Sequence, residues 1–135
     1  IINFKSDRWP MGNPYNLDQN EVPNFNTLAN NTFATFADLD ASPTKAWLIG
    51  QRNEPKWKWH YNYAFGKRPR EELFILKDDP DQIKNVAANP KFAAIKKKLN
   101  AQLMAELKRT GDPRVTGDGS TFDKLPFAGD FRRSR

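Results

Sequence analysis

The sequence predicts a small α+β domain, and three stretches carry that prediction. Phe92, Ile95, Leu99, Leu103 and Leu107 recur at steps of three and four residues, the apolar stripe of an amphipathic helix. Residues 71–76 read as a strand covered on both sides, with Leu73 and Ile75 on one face and Phe74 and Leu76 on the other. Residues 1–4 read as the end of a second strand, which charge and proline break over Lys5-Ser6-Asp7-Arg8-Trp9-Pro10.

A chain of 135 residues supports one hydrophobic core, so residues 1–135 are read as a single domain with 114–135 as an extended tail. Leu, Ile, Val and Phe supply only 29 of the 135 positions, a share at the edge of the disordered class, but the 17 aromatic residues argue for a folded one. No apolar run approaches the roughly 18 to 20 residues that span a bilayer, which excludes a membrane span. The opening Ile1-Ile2-Asn3-Phe4 lacks a Met and looks like the middle of a strand. The expectation is therefore a piece of a longer protein, with any export signal or catalytic domain upstream of Ile1.

The elements follow in order. Residues 11–31 hold Gly12, Pro14, Pro23 and seven asparagines without a sustained period, the mark of a long loop that either rims a site or simply connects. Ser42 can cap a helix whose first position suits Pro43, with Gly50 at its end. Residues 57–63 alternate aromatic and polar, which is strand-like, yet Trp57, Tyr61 and Phe65 also fall at helical spacing. A strand puts His60 opposite the aromatic face; a helix puts it beside Trp57 and Tyr61. Gly66-Lys67-Arg68-Pro69 is a turn, and Asn89-Pro90 starts the long helix over residues 90–110. Lys108 and Arg109 complement its negative end, Gly111 can take a left-handed cap and Pro113 forbids continuation. That helix is expected to pack its stripe on a sheet containing residues 71–76, so that Leu99→Ala would cost about 2 to 5 kcal/mol. Residues 115–135 are expected to wrap over the domain, anchored by Phe122, Leu125, Phe127 and Phe131.

Chemistry is constrained by what is missing. Cysteine is absent, which removes disulfides, thiolate metal sites and a Cys nucleophile. His60 is the only histidine, so no histidine cluster can form. Asp78, Asp79 and Asp81 resemble the start of a calcium loop, but the glycine and terminal Glu of such a loop are lacking, and turn chemistry is the better reading. Gly117-Asp118-Gly119-Ser120 is too short and misplaced for a phosphate loop. The net charge of +6 favours an acidic partner, although Lys96, Lys97 and Lys98 and the terminal Arg132, Arg133 and Arg135 read as a solvated face and a basic tail. No nucleic-acid motif accompanies that charge, and nucleic acid is not an expected partner.

Four blocks together resemble the C-terminal part of a sulfatase: INFKSDRWPMGNP at 2–14, DLDASPTKAWLI at 38–49, FGKRPREELFILKDDPDQIKNVAANPKF at 65–92 and TGDPRVTGDG at 110–119. The similarity is greatest to the heparan N-sulfatase (N-sulfoglucosamine sulfohydrolase) group and its bacterial relatives. Glu72-Leu73-Phe74-Ile75 stands where that family has Glu-Leu-Tyr-Asp, and Asp79-Pro80, Asn85-Val86-Ala87, Asn89-Pro90 and Thr110-Gly111-Asp112-Pro113 follow in the family's order. The resemblance implies a small antiparallel β-sheet packed against a long C-terminal amphipathic helix, with long loops, and makes the 57–65 stretch helical or irregular rather than a strand.

It also implies a division of labour. Sulfatases hydrolyse sulfate esters or sulfamates with a formylglycine made from a Cys/Ser-x-Pro-x-Arg motif beside a calcium ion. Ser42-Pro43-Thr44 has neither the spacing nor the arginine, so calcium and formylglycine are expected in a missing N-terminal domain and this chain alone is expected to lack sulfatase activity. The implied partners are that N-terminal catalytic domain and a sulfated carbohydrate, and the implied location is periplasmic or extracellular. Arg8, Trp9, Lys45, His60, Lys67 and Arg68 are of the chemical type that holds sulfate, carboxylate or a sugar ring. Against that, Trp9 can plug the core, Lys45 can be a first-turn surface charge and Arg68 can pair with Glu71 or Glu72. A stand-alone binding module for an anionic polysaccharide is the alternative reading.

Overall fold

A computed structural model describes residues 1–18 and 22–124. The chain divides into two compact units, the first Ile1–Glu71 and the second beginning at Glu72. The first holds helices α1 (Phe25–Asn30), α2 (Pro43–Gly50) and α3 (Lys58–Phe65), with a 3-10 turn at Thr32–Ala34. The second holds α4 (Ala93–Arg109), led in by a 3-10 turn at Pro90–Phe92, then α5 (Pro113–Thr116) and a 3-10 turn at Ser120–Asp123.

The expected antiparallel sheet does not form among the described residues, and the α+β class is corrected to an all-helical one. Among the described residues the β pairing is one antiparallel bridge between Ile2 and Glu71, beside which the Asn3 amide donates to the Arg70 carbonyl at 2.8 Å. Residues 71–76 spend their backbone groups locally instead. The Leu73 amide donates to Asn85 Oδ1 at 3.0 Å, the Val86 amide donates to the Leu73 carbonyl at 2.9 Å, and the Ile75 carbonyl accepts from the Asp78 and Asp79 amides. Apolar alternation reports a surface able to be covered, whereas a ladder also needs a partner strand for its amides, and short segments rich in Asn and Asp offer loop bonds in its place.

The long helix forms where the stripe predicts. Asn89 caps the lead-in turn by accepting from the Lys91 amide at 3.0 Å, and the far end closes through Gly111 at φ +71° with the Asp112 amide donating to the Leu107 carbonyl at 2.9 Å. Its packing differs from expectation: no residue of α4 is buried, and Leu99 is 45% exposed. Leu99→Ala is accordingly expected to shift stability by less than about 1 kcal/mol, as a surface substitution does, and a urea midpoint displaced by more would contradict the exposure.

Beyond α4, residues 112–124 make a compact clasp. Asp112 caps α5, its carboxylate accepting from the Arg114 amide and from both Nε and a terminal nitrogen of the Arg114 guanidinium, which itself lies 5.3 Å from the Phe122 ring centre. These bonds hold the Asp112 carboxyl at about 2, below the usual carboxylate range. Because the folded state binds this proton less readily than the unfolded one, the cap's contribution is full above about pH 4 and falls away as the pH drops through about 2. An acid titration that follows the Arg114 amide resonance should have its midpoint near the lower value, and a midpoint near 4 would show that the pairing is absent. The expected anchors Leu125, Phe127 and Phe131 lie outside the described residues.

The hydrophobic core of the first unit is built around Phe36, which is fully buried. Phe65 stacks on it at 4.6 Å, Tyr61 and Trp9 meet it edge-on at 6.3 and 6.1 Å, and Leu28, Ala46 and Ile49 close the cluster. α1 packs on α2 and α2 on α3. Phe36 sits at φ +45°, a left-handed backbone that bulky residues rarely adopt, and its amide donates to the Asn13 carbonyl at 3.0 Å. Gly12 lets the 11–13 segment approach this close: at φ +83° it has only 3.1 Å between a would-be Cβ and the Ala37 amide.

Candidate carbohydrate-binding surface

α2 starts as the sequence predicts. The Ser42 hydroxyl accepts from the Lys45 amide at 3.1 Å and Pro43 takes the first turn. One turn of helix then buries Lys45, Ala46 and Ile49 on one face. Lys45 is 2% exposed, and its ammonium donates to three backbone carbonyls, those of Leu39 at 2.6 Å, Phe36 at 3.0 Å and Thr32 at 3.2 Å. Burial pushes the ammonium below its ordinary pKa, and the nearby Asp40 charge opposes that shift. This lysine is an internal peg that ties residues 32–39 to α2. It is neither the surface charge nor the sulfate ligand weighed from the sequence. The signal was present in its register: Lys45 lies four residues before Ile49, on the face a helix here must bury.

α3 resolves the ambiguity of residues 57–65 in favour of a helix. On a helix, residues two apart point in nearly opposite directions, so the alternating sequence makes two separate aromatic pairs at i, i+4. Tyr61 and Phe65 turn inward to Phe36, with their ring centres 5.3 Å apart. Trp59 and Tyr63 turn outward and stack at 5.2 Å with planes 16° apart, each more than two-fifths exposed.

The outward pair belongs to a longer chain of rings. Trp47 of α2 meets Trp57 edge-on at 4.9 Å, Trp57 lies 5.3 Å from His60, and His60 meets Trp59 edge-on at 4.9 Å. Lys56 Nζ is 4.7 Å from the ring centre of Trp57, the second ring of this ridge. At the last ring, the Arg68 guanidinium lies 5.4 Å from the Tyr63 ring centre and donates to the Tyr63 carbonyl at 2.7 Å. The turn that presents Arg68 follows from Gly66, whose amide donates to the Asn62 carbonyl at 2.8 Å and where any Cβ would collide with that same oxygen.

No family model, curated protein or solved structure matches the chain. The sequence-predicted site residues are therefore weighed by placement alone. His60 and Arg68 are joined through the ring ridge. Trp9 is half-buried against Phe36 while Lys67 Nζ sits 5.2 Å from its ring centre, so these two form a second cation on an aromatic ring, adjacent in sequence to Arg68. Arg8 is exposed in the turn that its amide closes by donating to the Lys5 carbonyl. Trp47, Trp57, Trp59 and Tyr63 were not among the residues singled out from the sequence: residues 57–63 fit both a strand and a helix, and the outward Trp59–Tyr63 pair appears only on the helix.

The aspartate turn and the serine weighed for calcium and formylglycine each have local structural partners. Both Asp79 carboxylate oxygens accept from the Ile83 and Lys84 amides, which makes residues 79–84 a turn closed by its own aspartate. Ser42 is spent as a helix cap. Among the described residues no group of three His, Cys, Asp or Glu side chains is placed to hold a metal ion. In the second unit a cavity of about 280 Å³ lined by Asp78, Asp79, Lys84, Lys91 and Phe92 opens beside that turn. No helix among the described residues is long and apolar enough to cross a membrane.

Proposed function

We propose that the chain is the C-terminal subdomain of a sulfatase acting on sulfate esters or sulfamates of sugars, and that it walls the substrate pocket instead of carrying the reacting groups. The observation that supports this reading is the pair of cations held against aromatic rings at one turn, Lys67 on Trp9 and Arg68 on Tyr63. A guanidinium fixed by a ring and a carbonyl is pre-oriented, so it binds an anionic group with little further loss of freedom, and the adjoining ring faces accept the apolar face of a sugar. Calcium and formylglycine then belong to an N-terminal catalytic domain, and such an enzyme works in the periplasm or outside the cell.

The test is made on the enzyme encoded with its upstream sequence, which must contain a Cys/Ser-x-Pro-x-Arg motif. Arg68→Ala is expected to lower kcat/KM for a sulfated sugar about tenfold, or about 1.4 kcal/mol of transition-state binding. A triple Lys96, Lys97, Lys98→Ala variant should stay within about twofold, as screened surface charges do. Damage confined to the triple variant would place the working surface on α4 and refute the pocket wall. The exposed ridge on α3 favours a second reading, a stand-alone module that binds an anionic polysaccharide. Absence of the motif upstream, with binding retained, decides for it.

A further inference from the structure

We propose that the ridge running from Trp47 on α2 through Trp57, just before α3, to His60, Trp59 and Tyr63 on α3 is a docking surface for several consecutive units of an anionic polysaccharide. The inference rests on the carbohydrate reading above and extends it from one anion at Arg68 to a length of chain. Three observations carry it. The ring centres of five residues follow one another in four steps of 4.9 to 5.3 Å. Trp47, Trp59 and Tyr63 are each at least 40% exposed, a concentration of large aromatics in water that a fold gains nothing from unless something covers it. Residues 51–68 carry five cations, Arg52, Lys56, Lys58, Lys67 and Arg68, against the single carboxylate of Glu54, so the occupant is anionic.

The ring geometry favours a saturated sugar over insertion of a nucleic-acid base between rings. Such insertion needs a gap between parallel faces. Here Trp59 and Tyr63 already fill each other's inner face, and the Trp47–Trp57 and His60–Trp59 contacts are edge-to-face. The exposed rings of Trp47, Trp59 and Tyr63 are negative at the face, and the weakly positive C–H groups of a pyranose ring pack on such a face. Sulfate or carboxylate groups projecting from the sugar edge then meet Lys56 at Trp57 and Arg68 at Tyr63.

The experiment is a titration of the 135-residue chain, followed by tryptophan fluorescence and calorimetry, with size-defined sulfated glycosaminoglycan oligosaccharides of two, four and eight units, with the desulfated eight-unit chain and with oligo-dT. Affinity is expected to rise at least tenfold from two to eight units. Trp59→Ala and Tyr63→Ala should each weaken the eight-unit complex at least fivefold, Trp59→Phe should restore most of it, and the Lys96, Lys97, Lys98→Ala triple should stay within twofold. Unchanged thermal midpoints establish that the exposed-site variants fold. Length-independent binding, unchanged affinity in both alanine variants, or equal affinity for oligo-dT overturns the proposal. The two readings fail separately: turnover of a small sulfated sugar that depends on Arg68, with ridge variants binding like wild type, removes only the ridge. Length-dependent binding with no Cys/Ser-x-Pro-x-Arg motif upstream removes only the sulfatase.

Discussion

Replacing Lys45 with methionine is expected to destabilise the first unit by about 3 kcal/mol, although the two side chains have similar length and methionine is the more apolar. The reason is the three carbonyls of Thr32, Phe36 and Leu39, which the ammonium satisfies together and which a thioether cannot. The Phe36 bond is wholly buried, so its carbonyl keeps the full desolvation penalty, whereas the other two are partly reached by water, which holds the sum well below three complete losses. Lys45→Arg should fail to rescue, since a planar fork does not fit a site shaped around a tetrahedral donor. Chemical denaturation measures the effect, and a loss under about 1 kcal/mol would mean that the peg is not formed in solution.

Truncating Phe36 should have an equal or larger effect, about 3 to 5 kcal/mol for Phe36→Ala, because the ring is the common contact of Trp9, Tyr61 and Phe65 and leaves a cavity at the centre of the unit. Its backbone supplies a sharper comparison. At φ +45° any residue with a Cβ is strained by roughly 1 kcal/mol, and glycine is not. Phe36→Gly is thus expected to be no less stable than Phe36→Ala, reversing the usual order at a buried position. Denaturation midpoints of the two variants check the order; a glycine variant clearly below the alanine one would remove the left-handed conformation from the account.

What the sequence made legible was local. Ser42-Pro43, Asn89-Pro90 and Gly111 each carry a chemical start or stop: α2 begins at Pro43, the 3-10 lead-in to α4 at Pro90, and α4 closes just before Gly111. What misled was apolar pattern without partner. Residues 71–76 alternate as a strand does, but their amides found Asn85 and their own turn. The α4 stripe makes a helix without a covering layer among the described residues, and Leu99 stays half in water. Pattern fixes which face an element can bury; whether that face is covered depends on chain that a local window does not contain. The candidate surface was half legible for a related reason. Arg8, Trp9, His60, Lys67 and Arg68 were singled out by chemical type, yet the rings that link His60 to Arg68 became a surface only when α3 was a helix and separated Trp59 and Tyr63 from Tyr61 and Phe65.

The most direct test of that surface is a map of backbone amide shifts in the isotope-labelled chain as a sulfated oligosaccharide is added. The account predicts that the perturbed amides cluster at residues 57–68 and around Trp9, with Lys96, Lys97, Lys98 and Lys108 silent apart from a small, salt-sensitive drift. Perturbations centred on α4 and abolished by moderate salt, with residues 57–68 unmoved, would contradict it.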